Sequence, residues 1–168
     1  MHFRLIVLLA AVLAAAQPAA AQRKGELAVG VGIGLGTRTG LVLTVRSMAS
    51  DDLGISCRIG GLVRGSAASC GGTFSFSDHQ FAVAELGFWT GRRNDRPANR
   101  LFASLGTGLT GAGKGVGPVY DVGTTFFFAT QTLEEGGWTG FRGDDGWSFF
   151  ADLYLETVVD EGEGGRIY

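Results

Sequence analysis

A strict two-residue alternation of apolar with small or polar side chains is the feature that most restricts how this sequence can fold. In the stretch "ELAVGVGIGLG", residues 26–36, a branched aliphatic side chain stands at every odd position from 27, and Ala or Gly stands at every even position from 28. A strand places successive side chains on opposite faces, whereas the faces of a helix repeat every 3.6 residues. The stretch therefore predicts a β-strand with one apolar face and one nearly bare face.

The same alternation recurs along the chain, and no segment after the N-terminus has a sustained helical period. Eight alternating segments are separated by turn-forming residues, and they cover 26–36, 41–47, 53–62, 70–77, 81–89, 101–110, 119–129 and 147–158. Regularly spaced short strands with turn signals between them are typical of sandwiches and barrels. We predict an all-β fold, a single antiparallel up-and-down barrel of about eight strands.

The N-terminus predicts export. Arg4 precedes an apolar run over residues 5–16, and a small-residue cleavage site follows at 19–21. This arrangement is typical of a secretory signal peptide, and the run is too short for a membrane-spanning helix. We expect residues 1–21 to be the signal peptide, residues 22–159 the barrel domain and residues 160–168 a polar C-terminal tail.

The charge balance argues against a nucleic-acid partner. Of the 14 Lys and Arg residues, Arg4 lies in the signal peptide, so 13 basic residues face 16 acidic ones in the mature chain and the formal charge is about −3. Nucleic-acid-binding domains are usually basic. The stretch "GLTGAGKG", residues 108–115, is close to a phosphate-binding loop, but Gly115 replaces the Ser or Thr and a strand follows instead of a helix. We therefore predict no nucleotide binding.

Enzymatic and metal chemistry have little support in the residues. His79 is the one His of the mature chain, and no nucleophile stands at a spacing that indicates a hydrolytic triad. The "GDDG" stretch, residues 143–146, has too few spaced oxygen ligands for Ca²⁺, and no His and Cys cluster suits a transition metal. We predict a non-enzymatic protein with no cofactor and no bound metal.

Cys57 and Cys70 are the two cysteines, and in an exported chain they predict a disulfide. A tight hairpin that turns at residues 63–64 places Cys57 opposite Cys70. The same register places Leu53 opposite Phe74. The disulfide, the register and the apolar face therefore agree in parity.

The charged side chains within the predicted strands share the face opposite the apolar one. An eight-stranded barrel has an interior that side chains can fill, and poorly screened charges there should pair. We predict that these residues form a charge network that plugs the lumen: Arg46, Arg58, Glu85, Asp121, Asp152 and Glu156.

Period two alone does not say which face points inward, but three features favour lipid outside. The second faces carry mostly Gly, Ser, Thr and Ala. The two longest connections, residues 91–100 and 131–146, fall on the outer side if the N-terminus starts in the periplasm. Aromatic residues near strand ends suggest an interfacial girdle, and they are Phe88, Trp89, Phe102, Tyr120 and Trp147.

With its signal peptide, "ELAVGVGIGLG", the eight alternating segments and "WSFFADLYLETVV" at residues 147–159, the mature chain resembles the small eight-stranded outer-membrane β-barrels. These are the OmpA-transmembrane-like and OmpX-like barrels, which are often described as porin-like. The resemblance implies a location in the Gram-negative cell envelope, transmembrane β-strands, contact with outer-membrane lipid and a structural or surface-interaction role. We expect a monomer.

Two further hypotheses depend on which face meets lipid. In the membrane interpretation, an outer loop would present Arg92, Arg93, Arg96 and Arg100 to lipopolysaccharide phosphates. The alternative is a soluble secreted or periplasmic barrel that binds a small apolar ligand, similar to a lipocalin.

Overall fold

The computed structural model describes residues 25–61, 63, 65–111, 116–134 and 137–159. The predicted signal peptide, the polar tail and the Gly-rich stretch at 112–115 lie outside these described residues. Within the described ranges the chain forms nine strands: β1 Leu27–Gly36, β2 Gly40–Met48, β3 Leu53–Gly60, β4 Gly65–Ser77, β5 Gln80–Arg93, β6 Arg96–Thr110, β7 Val116–Glu134, β8 Gly137–Trp138 and β9 Arg142–Val159. No helix within the described ranges is long and apolar enough to cross a membrane.

The strands close into a barrel. Each long strand pairs antiparallel with the next in sequence from β1 to β7, β7 pairs with β9, and β9 pairs back with β1. The two-residue strand β8 pairs with Leu133 and Glu134 at the C-terminal end of β7. The predicted all-β, eight-stranded up-and-down barrel is therefore confirmed, with one short additional strand.

Burial alternates along the wall as the sequence pattern predicts, and the apolar face points outward. On β2, Leu41, Leu43 and Val45 are 43–49% exposed, whereas Thr44 and Arg46 are at most 5% exposed. The same inversion holds on β3 and β9, where aliphatic side chains face out and charged ones face in. The interior is thus the polar side of the wall.

Glycines on the inner face of β1 let β9 approach closely. A Cβ at Gly32 would collide with the backbone of Leu153 and Tyr154, and one at Gly30 would collide with the Tyr154 ring. The bare face predicted for the first segment therefore makes room for the large ring of a neighbouring strand, because glycine has no Cβ.

Two predicted outer loops are strands instead. Residues 91–100 form a tight hairpin in which β5 runs to Arg93, β6 starts at Arg96, and Asn94 and Asp95 turn the chain with φ of 51° and 63°. Asn and Asp tolerate this left-handed conformation, and such a turn matches the twist of the flanking strands. Most of residues 131–146 likewise belong to β7, β8 and β9. The prediction of long outer loops was wrong.

The predicted aromatic girdle is only partly correct. Phe88 and Trp147 are exposed on the outer face and Tyr120 is half-buried, but Phe102 is fully buried inside the barrel. Trp89 packs against an interior cluster that includes Phe102 and Phe127. The strand parity explains the difference, because Trp89 shares a face of β5 with Glu85.

Candidate functional site

The lumen charge network is the candidate site, and we define it by seven side chains that are at most 5% exposed. The members are Arg38, Arg46, Arg58, Glu85, Asp121, Asp152 and Glu156. The arginines come from β2, β3 and the β1–β2 turn, whereas the acids come from β5, β7 and β9. The barrel wall therefore places basic and acidic groups on opposite sides of one small interior.

Arg58 lies at the centre of the network and contacts three carboxylates. Its Nε lies 2.9 Å from Glu85 Oε1, and its Nη1 contacts Asp121 Oδ2 and lies 3.5 Å from Asp152 Oδ2. Asp121 and Asp152 are direct partners in the register of β7 and β9. One guanidinium thus joins the β3 side of the wall to two acids that lie side by side opposite it.

Arg46 and Glu156 form an ion pair in which one guanidinium nitrogen contacts both carboxylate oxygens. Arg46 Nη2 donates to Glu156 Oε1 at 2.7 Å and to Oε2 at 2.9 Å. The Arg46 guanidinium carbon also lies 4.6 Å from the centre of the Phe81 ring. The pair combines a charge-assisted hydrogen bond with an aromatic contact, which together hold the arginine in one geometry.

Arg38 belongs to the network although the sequence analysis did not identify it. It is fully buried, its Nε donates to Asp152 Oδ2 at 3.1 Å, and its Nη2 donates to Glu85 Oε2 at 3.4 Å. Arg38 lies in the β1–β2 turn, where the two-residue alternation of a strand does not predict whether a side chain points into or out of the barrel. The neighbouring Thr37 is also buried and bonds the Thr125 hydroxyl at 3.0 Å, so the turn folds into the barrel.

Glu85 has four polar partners in the lumen. The hydroxyls of Ser56 and Ser69 donate to its two oxygens at 2.8 Å and 2.9 Å, in addition to the contacts with Arg38 and Arg58. A buried carboxylate that is both paired and hydrogen-bonded is the arrangement that offsets desolvation. Asp121 Oδ1 and Asp152 Oδ1, in contrast, have no hydrogen-bond partner among the described residues.

Two apolar clusters share the lumen with the charges. Phe81, Val83, Val119 and Tyr154 form a buried cluster toward the β2–β3 end. Ala67, Phe102 and Phe127 form another toward the outer hairpins, with Trp89 packed against it. Charged and aromatic side chains also touch each other in the lumen, because Arg46 lies against the Phe81 ring and the Tyr154 hydroxyl donates to Asp121 Oδ2 at 3.4 Å.

The two cysteines form a disulfide, as predicted. Cys57 and Cys70 are direct partners in the β3–β4 register, and their Cα atoms are 4.1 Å apart. The same register pairs Leu53 with Phe74, as the hairpin prediction requires. Both cysteines belong to the outward rows of their strands.

The four arginines predicted to contact lipopolysaccharide are not presented together. Arg93 and Arg100 both bond the Thr130 hydroxyl at 3.3 Å, and the Arg100 guanidinium lies 3.5 Å from the centre of the Phe127 ring. Arg96 pairs with Arg93 in the hairpin register, whereas Arg92 lies on the opposite face of β5. Because the segment is a hairpin rather than a loop, its side chains alternate between two faces.

The described parts of the remaining sequence motifs contribute no side chain to the lumen charge network, although Gly108 is the register partner of Asp121. Gly108 belongs to β6, but residues 112–115 of the phosphate-loop-like stretch lie outside the described residues. His79 lies in the turn between β4 and β5, and the side chains of Asp144 and Asp145 are not among those described. Within the described ranges, no three His, Cys, Asp or Glu side chains are placed to hold a metal ion.

Comparisons with known proteins add one likeness. No protein-family model and no curated protein matches the sequence. Among solved structures, the chain is similar to "The crystal structure of Ail, the attachment invasion locus protein of Yersinia pestis", with 13% identity, a TM-score of 0.44, and coverage of 80% of this chain and 98% of that one. The strand pairing itself establishes the fold. This chain is a closed eight-stranded β-barrel. It carries its buried charges inside and its exposed aliphatic side chains outside.

Proposed function

We propose that this chain is a non-enzymatic outer-membrane β-barrel protein with a plugged polar lumen and a structural or surface-interaction role. The observation that carries the proposal is the inverted polarity of the wall. Glu156 and Arg58 are 0% and 2% exposed, whereas Ile33, Leu86 and Trp147 are 61–71% exposed. A chain that folds in water places these two classes of side chain the other way round.

The extent of the apolar exterior supports lipid as its surroundings. The described residues include 25 large hydrophobic side chains that are exposed, and most of them lie on the outward rows of the eight long strands. Soluble monomers rarely expose contiguous apolar patches larger than a few hundred Å². A barrel with an apolar band outside and polar residues inside is the arrangement that crosses the outer membrane.

A soluble barrel that binds an apolar ligand has less support. Such a protein needs an apolar cavity, but the centre of this barrel holds Arg58 together with Glu85, Asp121 and Asp152. A ligand at this position would have to separate Arg58 from its carboxylate partners, and a buried charge without a partner costs several kcal/mol. The geometry therefore favours the membrane interpretation over the lipocalin-like one.

The packed lumen supports a plug rather than a channel. Eight strands leave an interior that side chains can fill, and the lumen charge network and the apolar clusters both occupy it. In planar bilayers, the purified protein should give no large steady conductance, and a stable large pore would contradict the plug.

We also expect a monomer, because closure pairs both edges of the eight-stranded wall and leaves no edge strand in the barrel.

Fractionation tests the location directly. The full chain, expressed with its own N-terminus, should pellet with outer membranes after a carbonate or urea wash. Unheated protein should migrate differently from heated protein on SDS gels, because a closed barrel resists unfolding by the detergent. Recovery in the soluble periplasmic fraction, with no mobility difference on heating, would contradict the proposal.

We further propose that the β5–β6 hairpin contacts lipopolysaccharide phosphates through Arg92, Arg93, Arg96 and Arg100. Arg92 should contribute most, because it shares the outward face of β5 with Leu86 and Phe88. Arg93 bonds Thr130 on the other face and should contribute less, so Arg93→Gln is the variant with which Arg92→Gln is compared. The Arg92→Gln variant should bind lipopolysaccharide more weakly and with less salt dependence than Arg93→Gln does. Equal binding by wild type and both variants would contradict the contact.

A further inference from the structure

The position of the disulfide on the wall has a consequence for the order of assembly. Cys57 and Cys70 lie in one outward row, between Val45 on β2 and Leu86 on β5. Along β3, Cys57 is flanked by Ile55 and Ile59, which are 60% and 62% exposed. The bond is therefore bordered on the outer surface by aliphatic residues of β2, β3 and β5 that belong to the apolar band, whereas its neighbours along β4 are Ala68 and Gly72.

Thiol–disulfide exchange is poorly compatible with this environment once the band is in lipid. The reacting species is a thiolate that must reach the sulfur it attacks. A charged thiolate is strongly disfavoured in hydrocarbon, and water-soluble disulfides do not enter it. Neither formation nor exchange of the bond should proceed at a useful rate in the inserted barrel.

We propose that the Cys57–Cys70 bond forms before insertion, in the aqueous compartment through which the chain passes, and that insertion then seals it from soluble thiols and disulfides. This inference rests on the proposed function as a membrane barrel. The oxidant required is a water-soluble disulfide, either a protein or a small molecule.

The chemistry balances in two exchange steps. One cysteine thiolate attacks the disulfide of the oxidant, which forms a mixed disulfide and releases one thiolate. The second cysteine thiolate then attacks the sulfur bound to the chain, closes the Cys57–Cys70 bond and releases the second thiol. The chain loses two electrons and two protons in total, and the oxidant is reduced to two thiols.

The short hairpin allows the Cys57–Cys70 bond to form before the barrel closes, and the bond then fixes the pairing of β3 with β4. The cysteines are only 13 residues apart in sequence, and loops of this size close within about 100 ns in an unfolded chain. The bond fixes the β3–β4 register in which Leu53 faces Phe74. A slip of one residue would turn every apolar side chain of one strand into the lumen. The chain delivered for insertion would thus carry one hairpin already in register.

The order of events can be tested by refolding the mature chain into phosphatidylcholine vesicles. One sample is oxidised in urea with glutathione disulfide before insertion, and the other is inserted reduced and then given the same oxidant. Thiols are counted by alkylation and intact mass. We expect the inserted reduced chain to oxidise at least about 100-fold more slowly than the chain in urea, because lipid excludes both the thiolate and the oxidant.

The matched control is a single cysteine on the outward face of the same barrel wall, placed outside the apolar band. The variant Arg92→Cys, in a Cys57→Ala and Cys70→Ala background, carries a single thiol on the outward face of β5 near the exposed hairpin turn. Its mixed disulfide with glutathione should form at nearly the same rate in vesicles and in urea.

Two results would overturn the proposal, and they have different meanings. If Cys57 and Cys70 oxidise in the inserted chain as fast as the control thiol reacts, the bond is not sealed, although the membrane location stands. If the chain fails to float with vesicles and shows no heat-dependent gel shift, the proposed function fails, and this inference fails with it.

Discussion

The lumen charge network and the β5–β6 hairpin are both rich in arginine, but they use it in different surroundings. Arg58 is 2% exposed and contacts three carboxylates across the barrel. Arg93 is exposed, and it donates a hydrogen bond to the Thr130 hydroxyl at 3.3 Å. An ion pair in water is worth little, whereas a buried charge that loses its partner is expensive. We therefore expect burial, rather than the number of arginines, to set how much each arginine contributes to stability.

Removal of Arg58 should have the largest effect on stability. The variant Arg58→Ala removes the guanidinium that contacts all three acids and takes from Asp121 its ion-pair partner, whereas Glu85 and Asp152 keep Arg38. We expect a loss of about 3–5 kcal/mol in the free energy of unfolding. Urea unfolding in phospholipid vesicles measures this loss. Arg58→Lys, which keeps the charge but not the fork that reaches three acids, should lose less than Arg58→Ala. A change below about 1 kcal/mol for Arg58→Ala would mean that water reaches the network.

Removal of the disulfide should have an intermediate effect that does not depend on charge. The Cys57→Ala and Cys70→Ala double variant frees a loop of about 14 residues, and the chain-entropy model gives a loss of about 3 kcal/mol. The loss should be insensitive to salt, unlike an effect on exposed charges. The same vesicle unfolding assay at low and high ionic strength checks this. Freely alkylated thiols in native wild-type protein would show that the bond is absent and would contradict the prediction.

Neutralisation of the hairpin should have the smallest effect. The variants Arg93→Gln and Arg96→Gln remove exposed charges next to the Asn94–Asp95 turn. We expect each to change the free energy of unfolding by less than about 1 kcal/mol. A loss comparable with that of Arg58→Ala would remove the distinction between the two regions.

Strand parity explains both what the sequence predicted and what it missed. Arg46, Arg58 and the four acids lie within alternating segments, so their common face followed from the pattern. Arg38 lies in a turn, and its inward direction depends on contacts with Glu85 and Asp152 on strands that are distant in sequence. No local pattern contains that information.

The outer hairpins were missed for a different reason. The stretch "GRRNDRPANR" has the polar composition of a loop, yet Asn94 and Asp95 form a two-residue turn that lets both strands continue. Phe102 was assigned to the interface by its place near a strand end, although its parity places it with Ser104 inside the barrel. Position along a strand and composition were weaker guides here than the two-residue period.

The central claim is that the aliphatic face of the wall meets lipid, and tryptophan fluorescence tests it most directly. Trp147 is 71% exposed on the outer face, whereas Trp89 packs against the interior cluster. A variant that keeps only Trp147 (Trp89→Phe, Trp138→Phe) should be strongly quenched in vesicles by lipids with brominated acyl chains and weakly by aqueous iodide. A variant that keeps only Trp89 should be much less sensitive to the brominated lipids. Strong quenching of Trp147 by iodide, with no effect of the brominated lipids, would contradict the claim.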